Sequence, residues 1–137
     1  MVANYWGESR TYHHTAPISM NYALREALRI VAEEGLEARW ERHQKTAERF
    51  WAGLEGIGLS CHVDKEIRLP SLTTVRVPDG VDAKAVARTL LLEHNIEIAG
   101  GLGQLAGKVW RVGLMGYNSR PDTVDRLLSA LARVLGR

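Results

Sequence analysis

Residues 99–107 read AGGLGQLAG, and the strand-like KVWRVGL follows at 108–114. A loop this rich in glycine lets backbone approach a ligand closely, or simply joins two strands. Gly101-x-Gly103-x-x-Ala106 satisfies the dinucleotide fingerprint in form only. That fingerprint must open a helix, and here Val109-Trp110-Arg111-Val112 reads as a strand instead. Gly107-Lys108 is no P-loop either, because Val109 stands where Ser or Thr must reach magnesium.

Arg111 sits inside that apolar strand, ahead of Gly113 and Gly116. Such an arginine either snorkels at an edge or is presented to an anion. From residue type alone the edge reading is the commoner, since charged side chains are mostly exposed. Tyr12-His13-His14-Thr15 forms a second polar cluster. Adjacent histidines face apart in regular structure, and no H-x-x-x-H or paired-cysteine spacing supports zinc, so no metal site is expected. Cys61-His62 lacks any base or orienting group that would make a nucleophile. His43 falls on the apolar stripe of a helix and reads as core.

The elements that must position these residues follow from periodicity. Residues 1–15 show no period, but Tyr5, Trp6 and Tyr12 mark the segment as one that packs on something. Leu24, Leu28 and Val31, then Leu36, Trp40, His43, Ala47 and Leu54, recur at helical spacing. They predict a long bent helix or a helix pair over 19–54, interrupted at Gly35 and ended by Gly53, Gly56 and Gly58. Residues 59–63 are a weak strand. Residues 72–77 (LTTVRV) are a better one, rich in β-branched side chains and bounded by Pro70 and Pro78. Asp82 is a good N-cap for a helix to about 93, with Asn95 ending it in a left-handed conformation. A short strand is expected at 96–98. Ser119 with Asp122 forms a capping-box variant before the stripe Val124, Leu127, Leu128, Leu131 and Leu135. The order predicts an α+β fold: a small, mostly antiparallel sheet with helices on one face.

The 137 residues suffice for one domain with a real core. Hydrophobic residues at 45% and charged residues at 25% are the globular norm. A net charge of +2, spread along the chain, provides no nucleic-acid surface. One cysteine, Cys61, allows no internal disulfide and fits a reducing compartment. No apolar run is long enough to span a membrane. The start resembles no secretory signal and the end is not the peroxisomal Ser-Lys-Leu address, so a cytoplasmic location is expected.

Three stretches, in order, resemble one family. They are Tyr12-His13-His14-Thr15-Ala16-Pro17 with the helix around Asn21–Leu28; Ile96-Glu97-Ile98-Ala99-Gly100-Gly101-Leu102-Gly103; and Gly107-Lys108-Val109-Trp110-Arg111-Val112-Gly113-Leu114-Met115-Gly116. Arg68-Leu69-Pro70 and Thr73-Thr74-Val75 also fit. Together they are similar to class V (fold-type I) pyridoxal-phosphate aminotransferases of the alanine–glyoxylate and serine–glyoxylate (serine–pyruvate) type. A ureidoglycine branch shares the motifs. The likeness covers nearly the whole chain.

In that family this region is the last third of a longer chain, whose N-terminal domain carries the Schiff-base lysine. Lys45, Lys65, Lys84 and Lys108 lack that lysine's context. The resemblance therefore implies a C-terminal domain fragment, with residues 1–15 an extended segment, 16–56 a helical connection and 57–137 the small domain. It implies that Arg111 binds the substrate carboxylate, which reverses the edge reading. It implies that Tyr12 and Thr15 bind the cofactor phosphate of a neighbouring subunit, and that Gly100, Gly101 and Gly103 form an active-site loop. Pyridoxal phosphate belongs to the parent enzyme, a homodimer acting on small amino and keto acids. The isolated chain is expected to be inactive, to bind no cofactor and to self-associate mildly. The competing readings are a free-standing module binding small carboxylates at Arg111, and an interaction domain completing a separate cofactor subunit.

Overall fold

A computed structural model describes residues 14–137. The chain divides into two compact units, residues 1–36 and 37–137. In the first, α1 (Ile18–Glu34) begins after Pro17 and has no buried residue. Its polar side is tied by Arg29, which reaches the carboxylates of Glu26 and Glu33 one turn away on either side. Gly35 ends it with φ 82° and ψ 145°, its N–H still bonded to the Val31 carbonyl. A side chain is poorly tolerated at that φ, and of the two forms expected over 19–54, a long bent helix or a helix pair, the structure has two helices, the second at Leu36–Gly56.

Helix α2 (Leu36–Gly56) starts at the boundary, and all but its first residue belongs to the second unit, which continues through β1 (Leu72–Arg76), α3 (Ala83–His94), β2 (Ala99–Gly100), β3 (Val109–Gly113) and α4 (Pro121–Val134). The three strands form an antiparallel sheet in the order β1-β3-β2. This is the α+β class expected from the sequence.

Alternation fixes the sheet's two faces. Thr73 and Val75 of β1 lie opposite Val112 and Trp110 of β3, and all four are buried. Val75, Trp110 and Val112 join Phe50, Trp51 and Leu54 of α2, Leu90 of α3, and Val124, Leu127 and Leu131 of α4 in one core. The stripe expected on the last helix is therefore its buried face. Two tryptophans carry their polar atoms into this core and satisfy them there. Trp51 donates from Nε1 to the Thr73 hydroxyl at 2.9 Å, and Trp110 donates to the Ala83 carbonyl at 2.9 Å.

The caps of α3 are as expected. The Asp82 carboxylate accepts the N–H groups of Lys84 and Ala85, and Asn95 is left-handed at φ 51°. Four local expectations differ. Residues 59–63 make only a single bridge, Cys61 to Val75. The strand expected at 96–98 lies at Ala99–Gly100, because the Ile96 N–H still bonds the Leu90 carbonyl. Residues 96–98 thus stay wrapped against the end of α3. No capping box forms at Ser119: α4 starts at Pro121, whose fixed φ suits the first helical position, and Arg120 precedes it without a side-chain cap. Gly53 does not end α2 but lies within it. A Cβ there would come 2.1 Å from Leu128 Cδ1, so this glycine lets α2 and α4 approach closely.

Candidate functional site

Arg111 occupies the middle strand, with Thr74 of β1 on one side and Ala99 of β2 on the other. Its neighbours Trp110 and Val112 point into the core, so Arg111 stands on the sheet's outer face and is half-buried. Its Nε donates to the Gly100 carbonyl at 2.8 Å. Neither Nη has a hydrogen-bonding or ionic partner among the described residues. A guanidinium held by Nε and open at both Nη atoms presents a fork suited to a carboxylate.

The glycine loop that supplies the carbonyl is tied down rather than loose. Gly101 N–H bonds the Val109 carbonyl at 2.9 Å, and a short 3-10 turn at Gly103–Leu105 closes onto Ala106 and Lys108. Each glycine has a distinct part. Gly100 gives the carbonyl to Arg111. Gly101 cannot carry a Cβ, which would lie 2.1 Å from the Leu105 carbonyl oxygen and 2.8 Å from Val109 Cγ2. Gly103 adopts φ 54°, in the left-handed region.

The turn after β3 is held from α2. Arg42 donates to the carbonyls of Gly116 and Ser119 at 3.0 and 2.7 Å. His43 Nδ1 lies 2.7 Å from the Arg39 carbonyl, and its Nε2 accepts the Gly116 N–H at 3.1 Å. That pairing requires the Nδ1–H tautomer. His43 is thus a structural residue, as its place on the stripe suggested. Sequence reasoning did not find Arg42 in this role, nor Thr74 beside Arg111. The second was available in principle, since an alternating strand that buries Thr73 must turn Thr74 outward.

Thr15 is exposed and belongs to the first unit. Tyr12 lies outside the described residues. Burial pushes the Cys61 thiol above its ordinary value, with the Arg68 charge pulling the other way, so it is not an activated nucleophile. No group of three or more His, Cys, Asp or Glu that could hold a metal occurs among the described residues. No helix there is long and apolar enough to cross a membrane.

An outward arginine on the central strand, a tied glycine loop against it and helices behind the sheet are features to compare with known proteins. A family model described as Aminotransferase class-V matches residues 3–127, and the chain belongs to that family. Its members are pyridoxal-phosphate enzymes. Among solved structures it resembles an alanine–glyoxylate aminotransferase from Nostoc sp., with 67% identity and a TM-score of 0.91 over 98% of this chain and 36% of that one. Among curated proteins it is 45% identical to (S)-ureidoglycine–glyoxylate transaminase of Bacillus subtilis, over 99% of this chain and 33% of that protein. It is 43% identical to alanine–glyoxylate aminotransferase of Felis catus, over 99% and 34% respectively. The chain thus spans about a third of the length of these relatives.

Arg111 fits the substrate side of a pyridoxal-phosphate site, because its open fork suits the acid group of an amino or keto acid. The covalent hold on the cofactor is another matter. All four lysines are exposed, and Lys45 is paired with Glu41 at 2.6 Å. A lysine nucleophile needs desolvation or a neighbouring cation to lower its pKa.

Proposed function

We propose that this chain is the C-terminal, substrate-anchoring part of a transaminase that moves an amino group from alanine or serine to glyoxylate or pyruvate. The observation that carries the proposal is Arg111: an outward arginine on the central strand, fixed through Nε and open at both Nη atoms. Donor and acceptor both carry an α-carboxylate, so one arginine serves both halves of the exchange. Bidentate binding fixes the acid and thereby orients the α-carbon.

Within this reading, residues 57–137 are the small domain and 16–56 the helical connection. Gly100 holds the arginine in place, and Gly101 allows the loop to lie flat on Val109. Tyr12 and Thr15 would give hydroxyl bonds to the cofactor phosphate of a second subunit. Pyridoxal phosphate, when bound, supplies an electron-withdrawing ring that stabilises negative charge at the substrate α-carbon. The lysine that holds it comes from the N-terminal domain, so the isolated chain turns over no substrate. The work of this chain is to bind and orient.

The test is a graft. This chain replaces the corresponding third of the Nostoc aminotransferase, and alanine–glyoxylate transamination is measured with Arg111 and with Arg111→Lys. Losing a charge-assisted bond of about 1.5–3 kcal/mol should lower kcat/KM roughly tenfold to 150-fold. A folded, cofactor-loaded graft whose kcat/KM ignores the substitution would overturn the reading.

A further inference from the structure

A groove of about 470 Å³ opens where β1 leaves the sheet and β3 enters it, lined in part by His62, Arg76, Asp79, Gly107, Lys108 and Val109. We propose that this groove is a second anion site, taking a carboxylate or a phosphate on Arg76 and Lys108, with His62 beside them. Arg76 lies opposite Val109, and Thr74 lies opposite Arg111. Arg76 and Arg111 are therefore diagonal neighbours on the outer face, about 7–8 Å apart at the backbone. His62 joins the same edge: its N–H bonds the Thr74 carbonyl at 2.7 Å beside the Cys61–Val75 bridge. Lys108 is fixed at the rim because its carbonyl accepts the Val77 N–H at 2.9 Å.

Two observations point to a ligand. Neither Arg76 nor Lys108 has an ionic partner among the described residues, and Asp79, the one acidic side chain lining the groove, pairs with neither. Two cations lining one groove, neither neutralised by an ion pair, repel one another, and an anion between them relieves this. The second is His62 Nδ1, which is buried with no hydrogen-bond partner. A buried polar atom left without a partner is costly, and native structures usually supply one from protein, water or ligand. A guanidinium and an ammonium facing a concave, partly apolar wall suit a small oxyanion. The inference does not use Arg111 or any cofactor, so it stands apart from the transaminase reading.

The 15N-labelled chain, titrated with inorganic phosphate and separately with acetate, tests it, with chloride at matched ionic strength as the baseline. Saturable amide shifts at Gly80, Gly107 and Lys108 are expected. Binding should weaken at least tenfold in Arg76→Gln, weaken in Lys108→Gln, and persist in Arg111→Gln. Saturation by acetate alone would identify a carboxylate, and by phosphate alone a phosphate group. Shifts that never saturate, or that equal those with chloride, would overturn the proposal. Binding lost in Arg111→Gln and kept in Arg76→Gln would also overturn it, by moving the anion to the other arginine.

Discussion

Arg111 and Gly100 are joined from Nε to carbonyl oxygen at 2.8 Å, so the cation of the middle strand and the first turn of the glycine loop are held as one unit. A lysine at 111 has no planar fork. It can bond the loop carbonyl or meet a carboxylate, but it cannot do the first while keeping two parallel donors for the second. The loss in the Arg111→Lys graft should therefore appear for both the amino and the keto acid. Equal losses in kcat/KM for alanine and glyoxylate are the signature; a loss confined to one would contradict shared use of the arginine.

Adjacent glycines should respond oppositely to alanine. At Gly101 the added Cβ meets the Leu105 carbonyl, which is backbone and cannot swing aside, whereas at Gly100 nothing lies within 4 Å. Gly101→Ala should cost about 1–3 kcal/mol, the usual range for overpacking. Gly100→Ala should stay within about 0.5 kcal/mol. Urea unfolding of the two variants is the measurement, and equal midpoints would count against the described packing.

Thr73→Val removes the acceptor of a buried indole N–H while keeping the shape of the side chain. Trp51 and Thr73 are 6% and 4% exposed, so water cannot readily replace the bond. The expected cost is about 1–3 kcal/mol, the penalty for an unsatisfied buried donor. Thr73→Ser, which keeps the hydroxyl, should recover a clear part of that loss in the same thermal or chemical unfolding experiment.

Arg49 grips Asp125 with two bonds of 2.8 Å and ties α2 to α4. Its hydrogen bond holds the Asp125 carboxyl below the ordinary value of 3.8. A carboxyl depressed on folding contributes stability that is fully present above its unfolded value and is lost as pH falls through the folded one. The stability difference between the chain and Asp125→Asn should therefore be flat from neutral pH down to about 3.8 and shrink below it. A difference that is unchanged well below 3.8, or that shrinks already near neutral pH, would show that the pair is not the cause.

The parts of the fold that the sequence made legible are those set by local chemistry. Asp82 and Asn95 bracket a helix because a short carboxylate caps orphan N–H groups and asparagine tolerates the left-handed region. The stripe Val124 to Leu135 needs only a period. What stayed hidden depends on distant partners. Gly53 reads as a terminator until Leu128 is placed against it, and Ser119 reads as a cap until Pro121 takes the first helical position. Likewise, Arg111 in an apolar strand is ambiguous from residue type. Its outward face follows only once Trp110 and Val112 are seen in the core, and the carbonyl of Gly100 that fixes it is backbone, which carries no sequence signal.

The central claim is that this chain anchors substrate while the cofactor's lysine lies elsewhere. The most direct measurement is to incubate the pure chain with pyridoxal phosphate, reduce with borohydride, and map any pyridoxyl-lysine by peptide mass spectrometry. The account predicts no stoichiometric adduct on Lys45, Lys65, Lys84 or Lys108. A full adduct on one of them, Lys108 above all, would contradict it, because the chain would then hold the cofactor by itself.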